Sequence, residues 1–419
     1  MGAVVGLIFP ATALPAEFTK YFMRKMFNAS SQQQLRSESG AKATAVQTLS
    51  RLPGVCELRE ASGLRRVHRR FLICLSALIL LVAFTTTAQV TYLTNQHMDF
   101  RLQYDAAATG SNRLDVILGY DPGQRVTNTQ AYIVANTNAQ LAVPGNPNFA
   151  FLGYPGAPIW ILPQSQNVTL PYLGISAEDI PAGFFNDPME LELVSVEGPG
   201  DFFAWSVSGA GNPPTIKFIA TNGVVSPQFK TAQPFIGSHE HNNWAFSTNG
   251  LYRVTFRANG RFLGDTTNTI GRDVAWSFQL LPLRPWENWV ATNWLPATAS
   301  STNGPAADPD GDGIPNALEY ALGLNPNSAS TTGLPEFSLV SDAGQTYGAL
   351  TFTRVKAAKD IDYLPSARSE LTGGAWTTLT NVVSTMDHGA TETVTLRDFA
   401  PAAANMSRFF QFRARLNYP

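Results

Sequence analysis

Cysteine is nearly absent from this chain of 419 residues: there are two, Cys56 and Cys74, both near the N-terminus. Residues 89–419 therefore have no disulfide and no thiolate metal site to draw on. Histidine is also scarce, five in all, so imidazole chemistry must rest on very few positions. Long hydrophobic runs are missing; the longest, residues 71–84, falls short of the roughly 20 residues that a membrane-spanning helix needs. No G-x-S-x-G elbow, no phosphate-binding loop and no dinucleotide fingerprint occurs, which removes the common hydrolase and nucleotide-binding signatures. The stretch "GPGDFFAW" reads as a tight turn into a strand, since no helix follows it to cradle a phosphate. Carboxylate pairs of the glycosidase kind lie far apart in sequence and stay open at this point.

The short apolar run has a meaning of its own. Arg65, Arg66, Arg69 and Arg70 precede it and small residues close it, the layout of a secretory signal with cleavage after Ala88. An uncleaved signal anchor is the alternative. Such a signal belongs at an N-terminus, so the reading expects residues 1–66 to be an over-extended gene start or a disordered stretch. Residues 67–88 are then the signal peptide, with the true start near Leu64 or Val67. Residues 1–88 hold 11 of the 29 basic and 4 of the 31 acidic side chains, which leaves residues 89–419 with 18 basic, 27 acidic and a formal charge of −9. That balance argues against nucleic acid and anionic lipid as partners and suits a cation-binding protein outside the cell. Membrane contact is expected only through the signal during export, with an envelope component or extracellular ligand as partner.

Residues 89–283 read as short period-two segments broken by Gly, Pro and Asn, among them "RLDVILGY", "QAYIVAN", "APIWILP", "MELELVSV", "LYRVTFRA" and "VAWSFQL". This texture predicts a β-sandwich. Residues 284–334 differ: "RPWENWVATNWLP" predicts a short helix with Trp286, Trp289, Val290 and Trp294 on one face, and a Ser/Thr/Ala/Pro/Gly linker follows at 297–307. Residues 335–419 return to strands and are enough for a small C-terminal β-sandwich, with Phe410, Phe412, Ala414 and Leu416 on one face of the last strand. The expected fold class is mainly β with a short helical segment between two β modules.

Residues 308–319, "DPDGDGIPNALE", match D-x-D-x-D-G-x5-E without a mismatch. A hard cation takes six to eight oxygens, and this spacing supplies Asp308, Asp310 and Asp312, the Ile314 carbonyl, Asn316 and a closing bidentate Glu319. Gly313 permits the sharp turn, Pro315 suits a helix start, and Gly323 suits its end. Calcium is the expected ion, although an Asp/Gly-rich turn that binds nothing has the same composition. A single loop with no incoming helix resembles a thrombospondin type 3-like calcium loop of bacterial surface proteins, with Asn316 where Asp is common. The resemblance implies constitutive binding, at about 10⁻⁴–10⁻³ M, that stiffens the joint between domains.

The stretch "HEH" places His239 and His241 on one face of a strand, with Glu240 on the other. His97 and Asp99 repeat that spacing in "HMDF". If the two strands lie side by side, His97, Asp99, His239 and His241 form a zinc or copper site. The bland alternative is loop histidines bonded to backbone near Trp244. H-E-x-x-H fails, because Asn243 stands where the second histidine is needed. Trp160, Trp205 and Trp244 could stack on sugars if exposed, but tryptophans in β modules are more often core. His388 reads as a loop residue.

Together "HMDF" (97–100), "IWILPQ" (159–164), "YLGI" (172–175), "VEGPGDFFAW" (196–205) and "HEHNNWAFSTNGLYRVTFRANG" (239–260) resemble the choice-of-anchor M domain of bacterial cell-surface proteins. Gln96 stands where glycine is usual. The resemblance implies secretion and surface display and carries no assigned reaction. The C-terminal "SARSELTGGAWTTL" and "RFFQFRARL" are similar to terminal β modules of secreted bacterial proteins. The expected function is non-catalytic binding or display at the cell surface, with a metal-dependent extracellular enzyme using His97, His239 and His241, or a carbohydrate-binding adhesin, as alternatives.

Overall fold

Period-two alternation in the sequence becomes sheet with one face sealed. In the strand His97–Tyr104 the side chains of Met98, Phe100 and Leu102 are fully buried, while His97 and Arg101 turn to the other face. The computed structural model describes residues 4–10, 90–209, 211–370, 374–402 and 407–417. The expected signal peptide and most of the N-terminal stretch lie outside these residues. Among the described residues, no helix is long and apolar enough to cross a membrane.

The protein is mainly β. In residues 90–283 an eleven-stranded sheet faces a five-stranded one. The five strands run in the order His239–His241, Tyr172–Ser176, His97–Tyr104, Leu114–Tyr120 and Gln124–Val126. Aromatic rings fill the space between the sheets: Phe100 from the smaller sheet lies 5.2 Å from Phe256 and 5.8 Å from Trp276 of the larger. Such ring pairs contribute beyond their buried area. Trp244 also belongs to this core, and Trp160 and Trp205 are buried as well, so none of the three offers an exposed sugar platform.

Chain direction changes the expected neighbour relation. His97–Tyr104 pairs in parallel with Tyr172–Ser176, and His239–His241 pairs antiparallel with the far edge of that same strand. The two histidine-bearing strands are therefore not side by side; Tyr172–Ser176 lies between them. At buried Asn242 the chain leaves the smaller sheet, and Asn243–Phe246 enters the larger one beside Phe202–Ser206. A strand that crosses between sheets is a usual way to make a sandwich corner.

The C-terminal module also has two sheets. One contains Glu336–Asp342, Gln345–Val355, Thr391–Pro401 and Asn381–Asp387; the other is centred on Phe409–Leu416. Phe410, Phe412, Ala414 and Leu416 are buried as the alternation predicts, and Phe352 meets Phe412 at 4.8 Å. Val4–Pro10 pairs antiparallel with Phe409–Leu416, a strand within the segment expected to be over-extended or disordered.

Helices Pro285–Asn293 and Asn316–Leu322 place Trp286, Val290, Leu318 and Leu322 in that same C-terminal core. Residues 284–334 are thus packed structure rather than a bare tether. The strap at 297–307, expected as a linker, contains the helical turn Ser300–Asn303 and is tied to the sandwich. Ser277 Oγ accepts from the Ala297 amide at 2.8 Å, and Arg253 Nε donates to the Ala297 carbonyl at 3.1 Å.

Candidate metal centres

Three strands build the first site on the outer face of the five-stranded sheet. Cross-strand register puts His97 opposite Tyr172, Asp99 opposite Gly174, and Gly174 opposite His241. Neighbouring strands are about 4.8 Å apart, so His97 and His241 must reach across one intervening strand. The residue between them at the point of convergence is a glycine. A Cβ at Gly174 would stand 2.1 Å from Asp99 Oδ1 and 3.1 Å from His241 Cε1. Any larger residue fills the space where the site groups meet.

One ligand atom each from His97, His239 and His241 lies within 4.8 Å of the others. His97 Nε2 and His241 Nε2 are 3.1 Å apart. Two nitrogens bound to one tetrahedral zinc ion at about 2.0–2.1 Å would be about 3.4 Å apart, so this pair needs only a small opening to admit an ion. The tautomers are set from behind. Glu178 Oε1 accepts from His239 Nδ1 at 3.0 Å, and Asp121 Oδ2 accepts from His97 Nδ1 at 3.0 Å. A carboxylate only accepts, so each Nδ1 carries a proton, and in the neutral ring Nε2 then holds the lone pair that a cation would take. His241 stacks on Tyr172 with ring centres 3.7 Å apart and planes 10° from parallel.

Electrostatics favour a cation. Burial and then the neighbouring His97 push the His241 imidazole down to about 4, with the Leu173 carbonyl opposing, so this ring is neutral over most of the acid range. Burial opposes ionisation of Glu178, but hydrogen bonds from His239 and Arg101 outweigh it and hold the carboxyl below its ordinary value. Asp179 is held low first by its hydrogen bond from Arg101. The Arg101 guanidinium is committed there: Nε and Nη2 donate to Asp179 at 2.9 and 2.8 Å, and Nη1 donates to Glu178 at 3.0 Å. Asp99, the fourth residue expected at this site, is not part of the close three-nitrogen group. It stands beside it, 5% exposed, with Oδ2 3.7 Å from His97 Nε2. Burial raises its carboxyl above the ordinary value.

Nothing in the sequence alone marks Tyr172, Gly174, Glu178 and Asp121 as site residues. "YLGI" marked the strand, but nothing in its spacing says that it runs between the two histidine strands. Glu178 and Asp121 sit beyond strand ends, where a sequence pattern carries no direction.

The second site is the loop at 308–319. Carboxylates of Asp308, Asp310 and Asp312 converge within 4.8 Å. Asp308 accepts from the Gly311 and Gly313 amides at 3.0 and 2.9 Å, and Gly313 has φ 88°, the left-handed turn expected of it. Helix Asn316–Leu322 follows, with Pro315 just before its first turn rather than inside it. Asn316 is fully buried; its Nδ2 donates to the Thr302 and Gly304 carbonyls, both at 2.9 Å. Its Oδ1, Glu319 Oε2 and Asp310 Oδ2 are buried without a hydrogen-bond partner among the described residues. Burial, then the charges of Asp310, Asp312 and Asp308, push Glu319 up to about 8. Buried oxygens without donors are costly, and a cation among them would satisfy all three. Ile314 follows the Asp312 cap, its amide donating to Asp312 Oδ1 at 2.8 Å. His388, as expected of a loop residue, joins neither cluster and bonds Thr393 Oγ1.

Both clusters could hold a metal ion, and their reading rests on geometry, since no protein-family model and no curated protein matches this chain.

Proposed function

We propose that this is an exported, non-catalytic binding and display protein of the cell exterior. It carries a transition-metal ion, zinc or copper, on His97, His239 and His241. A calcium ion in the loop at 308–319 stiffens its joint. The observation that carries the proposal is the convergence of three imidazoles from two strands, two of which, His97 and His239, have their Nδ1 engaged by carboxylates. Backing of this kind is how metal-ligating histidines are oriented. The resemblance to the choice-of-anchor M domain and the acidic balance of residues 89–419 support the external location.

The calcium half rests on Asp308, Asp310, Asp312, Asn316 and Glu319, with the Ile314 carbonyl. Asn316 is the mechanical link: it sits in the loop and holds the carbonyls of Thr302 and Gly304 in the strap. An ion that fixes Asn316 fixes the strap as well.

Metal analysis of the full chain, with zinc and calcium titrations of chelator-treated protein, tests the reading. One transition-metal equivalent lost in His241→Ala, and one calcium lost independently in Asp310→Ala, are the expected results. A wild-type chain that retains no transition metal and shows no zinc uptake refutes the histidine site. Turnover of ester or phosphoester substrates that depends on the bound metal would favour the enzyme reading instead. Glycan binding that persists after metal removal would favour the adhesin.

A further inference from the structure

We infer that Asp99 is the fourth protein ligand of the three-histidine site and that Gly174 is the positioning residue that makes this possible. The ion then sits in a closed set of three imidazoles and one carboxylate. The inference rests on the three-histidine reading above and deepens it: a filled fourth position makes the site one that holds zinc rather than one that performs Lewis-acid chemistry.

Asp99 brings an oxygen without a partner to the edge of the three-histidine group. Asp99 is 5% exposed, and its Oδ1 has no hydrogen-bond partner among the described residues. The nearest cationic nitrogen, Arg101 Nη1, is 3.9 Å from Oδ2, too far for a hydrogen bond, and the guanidinium is engaged by Asp179 and Glu178. A buried carboxylate without donors costs several kcal/mol unless something of opposite charge meets it. Among the ionisable side chains of the described residues, the other nitrogen within 4.0 Å is His97 Nε2, 3.7 Å from Oδ2. That separation is close to the edge of a zinc tetrahedron, about 3.4 Å between ligand atoms. A cation between these atoms supplies the partner that the protein itself withholds.

Register supplies the second line of argument. Asp99, Gly174 and His241 form one row across three adjacent strands, with the glycine in the middle. The strand Tyr172–Ser176 otherwise carries tyrosine, leucine, isoleucine and serine, so a glycine in its centre weakens it unless the space is used. The space is used by Asp99 Oδ1 and by the edge of the His241 ring. Three imidazoles and a carboxylate match zinc(II), whose tetrahedral preference they fill.

The test uses the full chain, freed of metal by chelator and titrated with zinc and, separately, with cobalt(II) as an optical probe. Wild type is expected to bind one equivalent at this site, giving the intense visible bands of four-coordinate cobalt. Asp99→Asn keeps shape and removes charge; it should lower zinc affinity at least about tenfold and alter the cobalt spectrum. Gly174→Ala should displace Asp99 and do the same, with the far-ultraviolet circular dichroism of both variants unchanged. Asp99→Asn with wild-type affinity and an unchanged cobalt spectrum overturns the inference while leaving the three histidines standing. So does an effect of Gly174→Ala with none from Asp99→Asn, because the glycine would then serve His241 alone. A wild-type chain that takes up neither metal overturns the three-histidine reading and this inference with it.

Discussion

Glu319→Gln is expected to move stability in opposite directions with and without calcium. In the metal-free protein Glu319 is 1% exposed, and its carboxyl is raised from 4.5 to about 8 by burial and by the three aspartates. The folded state therefore binds this proton more tightly than the unfolded chain does. Its contribution is fully present below about pH 4.5 and is lost as pH rises toward 8. Each unit in that window costs about 1.4 kcal/mol, so the ceiling at pH 7 is about 3 kcal/mol, and partial hydration of the loop reduces it to about 1–3 kcal/mol. Glutamine carries no such linkage. In chelator at pH 7 the variant should unfold later than wild type, by roughly 2–4 °C per kcal/mol. In millimolar calcium the order should reverse, because the bidentate ligand is gone and the ion no longer stabilises the fold. Thermal melts from pH 5 to 8, with calcium or chelator, measure both arms. A variant less stable than wild type in both conditions, or a wild-type chelator profile flat across that range, would refute the account of Glu319.

Further outcomes follow from the same geometry. Glu178→Gln removes the acceptor of His239 Nδ1 and should weaken zinc binding by about 10–100-fold, read by competition with a chelating dye. Metal-free protein should lose stability as pH falls from 6.5 toward about 4, because the unfolded chain takes up a proton that folded His241 refuses; His241→Ala should flatten that limb of the melting profile. Phe100→Ala, at the centre of the inter-sheet contact, should cost about 3–5 kcal/mol in denaturant titration. Asp398→Asn should cost about 3–5 kcal/mol by stranding the Arg408 guanidinium, which donates to both Asp398 oxygens at 2.6 Å.

Local pattern determined a good deal of this protein by itself. Alternation in "LYRVTFRA" and "FFQFRARL" is a statement about which side of a strand each residue takes, and burial follows it. The mainly β class came from that period. The aspartate spacing at 308–319 is equally local, since a twelve-residue loop brings its own ligands together and needs no distant partner. "HEH" and "HMDF" likewise showed that each pair of side chains shares a face.

Tertiary structure alone decided the rest. Whether the two histidine strands meet depends on sheet order, and sheet order depends on pairing between residues 63 to 75 positions apart. The sequence leaves their adjacency as a condition; the fold inserts Tyr172–Ser176 between them and leaves a glycine where their side chains converge. The orienting carboxylates Glu178 and Asp121, the unpaired oxygen of Asp99, and the absorption of Trp286 and Val290 into the C-terminal core are consequences of the same long-range packing. A strand's period says which way a side chain points, but only the arrangement of its neighbours says what it points at.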